Sequence, residues 1–320
     1  MMRIFASIIG ASALLASTAV WATDYPTQPV TLVIPYSPGG LTDTSGRLIG
    51  ERLSEELGQP VVIENRAGAG TTVASNWVAQ QEPDGYTIYA AAVSMALNHL
   101  IQDEVNYTLD DFTYISGWID SAFILHVHPS LEVSTMDELL AKIQENPDTY
   151  AIGTSGIGAV NHLATEFWVD VGDLDLAIVH YQGGAPARQD LLAGNIDMMF
   201  AATLEVLPLL EAESTVGIAV TTRDRLDAAP ELPTVEEAMD LDFFEAVFWQ
   251  TLVTPAGTPD DVVERLRSAM EVVGQDEELR AALAEQGVLL NVTDHEAVVE
   301  RLGTAEDVFG PLLERAASSD

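Results

Sequence analysis

An α/β fold of two lobes, built on two mixed or parallel sheets joined by two crossovers, is predicted by three observations. From Pro29 onward, short β-rich runs alternate with amphipathic stretches of helical period, the pattern of βαβ units. That series pauses near Ser121 and begins again at Phe123. The last segment, beyond an apolar run at 246–253, carries helical patterns without strands of its own, so it is expected to pack back onto the first lobe. The predicted division is one lobe of residues 23–122 plus 251–320 and a second of residues 123–250, the chain crossing near Ser121 and again at 249–251.

The elements follow in order. Residues 30–34 form the first strand, 35–43 a Gly/Pro loop, and 44–57 a helix whose Leu48, Ile49, Arg52, Leu53 and Leu57 mark the inward stripe, stopped by Gly58. A second strand at 61–63 leads through the loop Ala67-Gly68-Ala69-Gly70 into a helix ending at Ala79, and a third strand covers 86–89. In the second series, strands at 123–127, 150–153, 176–180, 196–200 and 216–221 alternate with helices at 135–145, 159–171, 185–192 and 205–211. Three helical patterns fill the chain after Pro259 as far as Arg315.

Composition narrows the function. With 48% hydrophobic residues the 320-residue chain is too apolar to be disordered, even at a formal net charge of −37. Fifty acidic residues against thirteen basic ones exclude a phosphate-neutralising nucleic-acid binder, and an anionic membrane surface would repel the chain. One lysine, Lys142, stands beside twelve arginines. Self-repulsion of such a surface is largely screened in brine, where the Debye length falls to about 3 Å at 1 M salt, so the composition points to a salt-adapted surface. Arg3, an apolar run over 4–20 and the small-residue ending Val20-Trp21-Ala22 read as a secretory signal cleaved after Ala22. The mature chain is therefore expected in the periplasm. Without cysteine it has neither disulfides nor thiolate metal sites.

Open α/β sheets bind ligands beyond the carboxyl ends of their strands, so the strand-to-helix loops are the candidate sites. In the first, 35–43, the glycines allow close backbone approach, while Thr42 or Asp43 can cap a helix whose free N–H groups favour an anion; a tight turn without a ligand fits the same residues. Gly68 and Gly70 lack comparable polar neighbours and read as a structural turn. The loop 153–158 adds the hydroxyls of Thr154 and Ser155, with His162 one turn into the next helix, where it either donates to an anion or packs. Its lack of a lysine and its spacing fit a nucleotide-phosphate loop poorly. The third loop, 181–187, offers Tyr181 and places Pro186 at a helix start. Asp197, a carboxylate in an apolar strand, must be paired, either within the fold or to a ligand donor. His126 and His128 share a strand face but have no evident third metal ligand. The Gly-x-Ser-x-Gly, His-Glu-x-x-His and Gly-x-Gly-x-x-Gly patterns are absent as functional motifs. Only spacing along the chain supports the alternative, an exported α/β hydrolase or lyase using Ser155, His162 and Asp197.

Ordered segments across nearly the whole mature chain carry a resemblance. They are 25–30, 35–43, 57–66, 83–87, 154–162, 190–194 and 254–259. Together they resemble the Bug-type solute receptors of tripartite tricarboxylate transporters. The resemblance implies a periplasmic-binding-protein-like, Venus-flytrap fold, without catalysis or cofactor and acting as a monomer. It implies that a small carboxylate, whether tricarboxylate, dicarboxylate or related organic acid, is held in the interlobe cleft and delivered to a membrane permease. The residues it implicates are Tyr36, Gly40, Thr42, Asp43 and Ser94 on one side, and Thr154, Ser155, Gly158, His162, Tyr181, Ala185 and Asp197 on the other. Two departures stand out. Gln182 replaces the lysine common in the family, and Ala159 and Val160 replace small hydroxyl residues, which makes for a less polar wall.

Overall fold

The structure, a computed structural model, describes residues 25–317 other than 101, 103, 182 and 286; the secretory segment 1–22 and Gln182 lie outside the described residues. The chain opens with β1 (Val30–Ile34), α1 (Leu41–Leu57), β2 (Val61–Asn65), α2 (Thr72–Val78), β3 (Thr87–Ala92), α3 (Ser94–Leu97) and β4 (Phe112–Ser121). It continues through β5 (Phe123–Val127), α4 (Met136–Glu145), β6 (Ala151–Thr154), α5 (Val160–Gly172), β7 (Ala177–His180), α6 (Gly184–Leu192), β8 (Met198–Ala202), α7 (Thr203–Glu211), β9 (Val216–Val220) and α8 (Val235–Met239). It closes with β10 (Phe248–Pro255), α9 (Asp260–Gly274), α10 (Glu277–Ala284), β11 (Val288–Leu290) and α11 (His295–Ala317). Among the described residues, no helix is long and apolar enough to cross a membrane.

Two mixed sheets carry the lobes. The first has the strand order β11-β4-β10-β3-β1-β2 and the second β7-β6-β8-β5-β9. Within the first, β1 runs parallel to β2 and β3, while β10 is antiparallel to both β3 and β4. Within the second, β6 is parallel to β7 and β8, and β5 is antiparallel to β8 and β9. The chain leaves the first sheet after Ser121, enters the second at Phe123 and rejoins the first at Phe248.

Helix α1 shows how the layers seat. Its buried face is Thr42, Asp43, Gly46, Ile49, Gly50, Leu53 and Leu57, spaced at helical intervals; Leu48 and Arg52 lie to the side of the expected stripe. Gly46 and Gly50 let the helix lie close on the sheet, because a Cβ on Gly46 would come within 2.8 Å of the Ile34 side chain and one on Gly50 within 3.3 Å of Ile63. Arg52 instead reaches Asp276 at 2.8 Å, tying α1 to the start of α10. In the second lobe, Trp168 of α5 packs edge-on against Phe200 of β8, with ring centroids 5.9 Å apart.

The terminal segment differs from the expectation of helices alone: β11 adds an antiparallel edge to β4, pairing Val288 with Ser121. Strand β4 itself was unmarked in the sequence. Its Gly117 explains why: Gly117 N donates to the Thr293 carbonyl at 2.9 Å, an approach that leaves no space for a side chain. The same region clamps the crossovers. Arg301 of α11 donates to both carboxylate oxygens of Asp120, at 2.9 and 3.2 Å, and its guanidinium lies 4.6 Å from the Trp249 ring centroid. Asn291 donates to Asp120 at 2.7 Å. One arginine thus holds the last residues of β4 and the first of β10. Farther along α11, Phe309 meets Phe167 of α5 edge-on at 6.3 Å, and Phe167 stacks on Phe244 of the second crossover at 4.7 Å.

A Cβ on Gly117 would fall 2.4 Å from Thr293 Oγ1 and 2.7 Å from the Asn291 carbonyl oxygen. Backbone cannot step aside cheaply, so Gly117→Ala is expected to destabilise the protein by about 1–3 kcal/mol. Urea unfolding measures this, and an unchanged midpoint would contradict the packing described.

Candidate functional site

The parallel strands of each sheet release their chains on the side where the lobes face one another. There the loops touch: a Cβ on Gly70 of the first lobe would lie 3.6 Å from the Ile157 carbonyl oxygen of the second. Tyr36, just after β1, packs its ring 6.1 Å from that of Phe248 at the second crossover.

In the first loop, Asp43 organises the backbone. Its carboxylate accepts from Gly39 N at 2.9 Å, from Arg47 Nε and Nη2 at 3.1 and 2.9 Å, and from Asn65 Nδ2 at 3.0 Å. Asn65 Nδ2 also donates to the Tyr36 carbonyl at 3.0 Å, so both ends of the loop hang on this pair. Gly39, at φ 86°, makes the turn that carries its N–H to Asp43. Burial would raise the Asp43 carboxyl, but Arg47, Gly39 N–H and Asn65 outweigh it and hold the group below its ordinary value. Burial pushes the Tyr36 phenol up, partly offset by a hydrogen bond with Ser94. Ser94 Oγ, at the start of α3, lies 3.0 Å from Thr71 Oγ1.

In the second lobe, Asn161 pins the loop after β6. It accepts from Ser155 N at 3.1 Å and donates to Ser155 Oγ at 3.1 Å and to the Phe200 carbonyl at 3.1 Å. Gly158 N donates to His162 Nδ1 at 3.1 Å, so the ring proton sits on Nε2, 3.2 Å from Glu166 Oε1. Thr154 Oγ1 lies 2.9 Å from His180 Nδ1, and the rings of His180 and His162 meet edge-on at 4.8 Å. Tyr181 turns its hydroxyl to Asp190 at 2.7 Å; desolvation first, and Asp190 second, push that phenol up to about 12. Ala185 is exposed in the first turn of α6.

The helix starts supply the chemistry. No side chain caps α1 behind Gly40, α5 behind Ala159, α6 behind Gly183 or α7 behind Ala202. Helices α4, α8 and α10 are capped by Thr135, Thr234 and Asp276. Only α9, behind Pro259, shares the uncapped state away from the cleft among helices with a described cap. First-turn N–H groups lack internal acceptors, and the helix dipole makes them favour an anion. Cations do not compete for that role. Every arginine whose side chain is described lies within 3.9 Å of a carboxylate, including Arg47 on Asp43, Arg66 on Glu64 and Arg188 on Glu205.

Tyr36, Gly40, Thr42, Asp43 and Ser94 therefore gather on one side, and Thr154, Ser155, Gly158, His162 and Ala185 on the other. Asp197 is a correction. It precedes β8 at the opposite end of the sheet, where its Oδ2 accepts from Ala151 N at 2.8 Å, so it serves as a structural partner and cannot join Ser155 and His162 as a triad. His126 and His128 also part company: His126 is buried in β5, pushed down to about 3 by burial and by the charge of Arg188, while His128 lies beyond the strand, 2.7 Å from Ser130 Oγ. Sequence reasoning missed Asn65, Asn161 and Thr71. Their signal is positional: an amide at a strand end or in a first turn, next to a loop whose backbone needs partners. A groove of about 410 Å³ lined by Arg52, Glu55, Glu56 and Asp276 lies behind α1, away from these loops.

Comparison with known proteins places the chain. A family model described as tripartite tricarboxylate transporter family receptor matches residues 46–302. The UPF0065 protein in the tcbD-tcbE intergenic region of Pseudomonas sp. (strain P51) is 32% identical, covering 89% of this chain and 85% of that protein. A solved R. palustris protein with adipate is 30% identical with a TM-score of 0.85, covering 92% of this chain and 99% of that one. MatC from Rhodopseudomonas palustris with bound malate is 25% identical with a TM-score of 0.81, covering 91% and 100%.

Asp43→Asn retains the shape but removes the charge that Arg47 and Gly39 N–H answer, and is expected to destabilise the protein by about 1–3 kcal/mol at pH 7. Because the folded pKa is depressed, the carboxylate's contribution is present above its ordinary 3.8 and is lost as pH falls through the folded value, so the two proteins converge in acid. Urea unfolding at neutral and acid pH reads both effects; equal stability at pH 7 would count against this role.

Proposed function

The chain belongs to the tripartite tricarboxylate transporter receptor family, and on that premise we propose that it captures a small organic carboxylate in the interlobe cleft and delivers it to a membrane permease. It is a solute-binding protein, not an enzyme. The observation that carries the reading is that α1, α5 and α6, whose starts open on the cleft, leave their N-terminal N–H groups without side-chain caps. The proteins solved with adipate and malate support a carboxylate as the ligand.

The proposed donors are the first-turn N–H groups of α1, α5 and α6, with the Ser155 hydroxyl beside them; the buried Ser94 and Thr154 hydroxyls already meet Thr71 and His180. Hydrogen bonds to a charged acceptor contribute about 1.5–3 kcal/mol each, so a few suffice without a guanidinium. Asp43, His162 and Tyr181 act as framework, since their polar atoms are already bonded inside the protein. The receptor works as a monomer in the periplasm after cleavage behind Ala22. The surplus of surface carboxylates is screened by salt, while donors in contact with the ligand are not.

A thermal-shift series with mono-, di- and tricarboxylates tests this. A bound acid at 100 times its dissociation constant is expected to stabilise the protein by about 2.7 kcal/mol. Affinity is expected to hold or rise between low and molar NaCl. Stabilisation by no carboxylate, or a steep loss of affinity with salt, would overturn the reading.

A further inference from the structure

An ion pair stands on the wall from which the second lobe offers its donors. In that sheet β6 lies between β7 and β8, so the starts of α6 and α7, which follow β7 and β8, flank the end of β6 where Ser155 stands. Glu205, in the first turn of α7, reaches over that end. A Cβ on Gly184, the first residue of α6, would lie 3.3 Å from Ser155 Oγ and 3.6 Å from Glu205 Oε2, so hydroxyl and carboxylate flank the same residue. Arg188 of α6 holds the carboxylate there, its Nη1 donating to Oε2 at 2.7 Å. Neither side chain is sealed: 31% of the Arg188 side chain and 27% of that of Glu205 are exposed.

The pair opposes a second acid group on the ligand. A free guanidinium beside Ser155 would offer a carboxylate two parallel N–H···O bonds in one plane. Here Glu205 takes that fork from within the chain. A ligand with one carboxylate loses nothing by this, since main-chain N–H groups and the Ser155 hydroxyl receive it. A ligand with two would bring its second negative charge against Glu205, and could reach Arg188 only by leaving Glu205 unpaired. Selectivity then comes from a repulsive element as well as from the attractive ones.

We propose that Glu205 is a specificity-determining residue of the cleft: by occupying Arg188 it bars a second carboxylate, so the ligand class is a monocarboxylic acid whose remaining part carries no negative charge. This rests on the carboxylate-receptor reading and sharpens it.

Calorimetry with acids matched in skeleton tests this: butyrate against succinate, hexanoate against adipate, benzoate against terephthalate, with malate and citrate beside them. In every pair that binds, the wild-type protein is expected to hold the monoacid about fivefold or more tightly than its diacid. Glu205→Gln keeps the shape, releases Arg188 and is expected to move that ratio about tenfold or more toward the diacid. Adding Arg188→Gln to Glu205→Gln removes the released cation, and the diacid is expected to lose that gain. Equal affinities or a preferred diacid in the wild-type protein, malate or citrate bound more tightly than every monoacid, a ratio unchanged in Glu205→Gln, or a gain that survives without Arg188 would each overturn the role of Glu205 while leaving the receptor reading intact. Binding of none of these acids would overturn the receptor reading itself. Should a variant not fold, the wild-type ratios decide.

Discussion

Carboxylates so outnumber cations in this chain that every arginine whose side chain is described is engaged, and this shortage governs how an anion can be held. Fifty acidic residues face thirteen basic ones. The guanidiniums nearest the cleft loops are bonded to Asp43, Glu64 and Glu205, and Arg66 lies in addition 3.6 Å over the Trp77 ring. What remains for an incoming acid is the main chain. Helix starts behind Gly40, Ala159 and Gly183 present N–H groups whose acceptors the sequence does not supply, where a serine or aspartate cap would have filled them.

Donors of this kind work only if the loops that carry them are rigid, because an N–H dipole misaimed is worth little. The rigidity comes from buried amides and carboxylates. Asp43 and Asn65 suspend the first loop, and Asn161 suspends the second through three hydrogen bonds. The lobes that bring the loops together are themselves joined at a clamped point, Arg301 gripping Asp120 and covering Trp249. Side chains often assigned to ligands in such a site, His162 and Tyr181 among them, are here part of the support.

Much of this was legible beforehand. Strands of continuous Val, Ile and Leu, such as β1 and β5, announce themselves, and the loops that follow strands had to point at the ligand whatever their side chains. Strand β4 was hidden because its glycine serves a distant contact, with Thr293 some way along the chain. Strand β11 is too short to have a period. Asp197 could be recognised as needing a partner but not which end of the strand it occupied, since only the pairing of β6 with β8 sets its place beside Ala151. Capping is visible in sequence only after helix starts are known to the residue: α1 begins at Leu41, before the Thr44 start read from the pattern. That shift converts Thr42 and Asp43 from caps into first-turn residues.

A crystal structure with a bound carboxylate tests the central claim most directly. The account requires its oxygens within hydrogen-bond distance of first-turn N–H groups of α1 and α5, with Arg47, Arg66 and Arg188 still on Asp43, Glu64 and Glu205. A ligand seated outside the cleft, or one gripped by an arginine that has left its carboxylate, would contradict it.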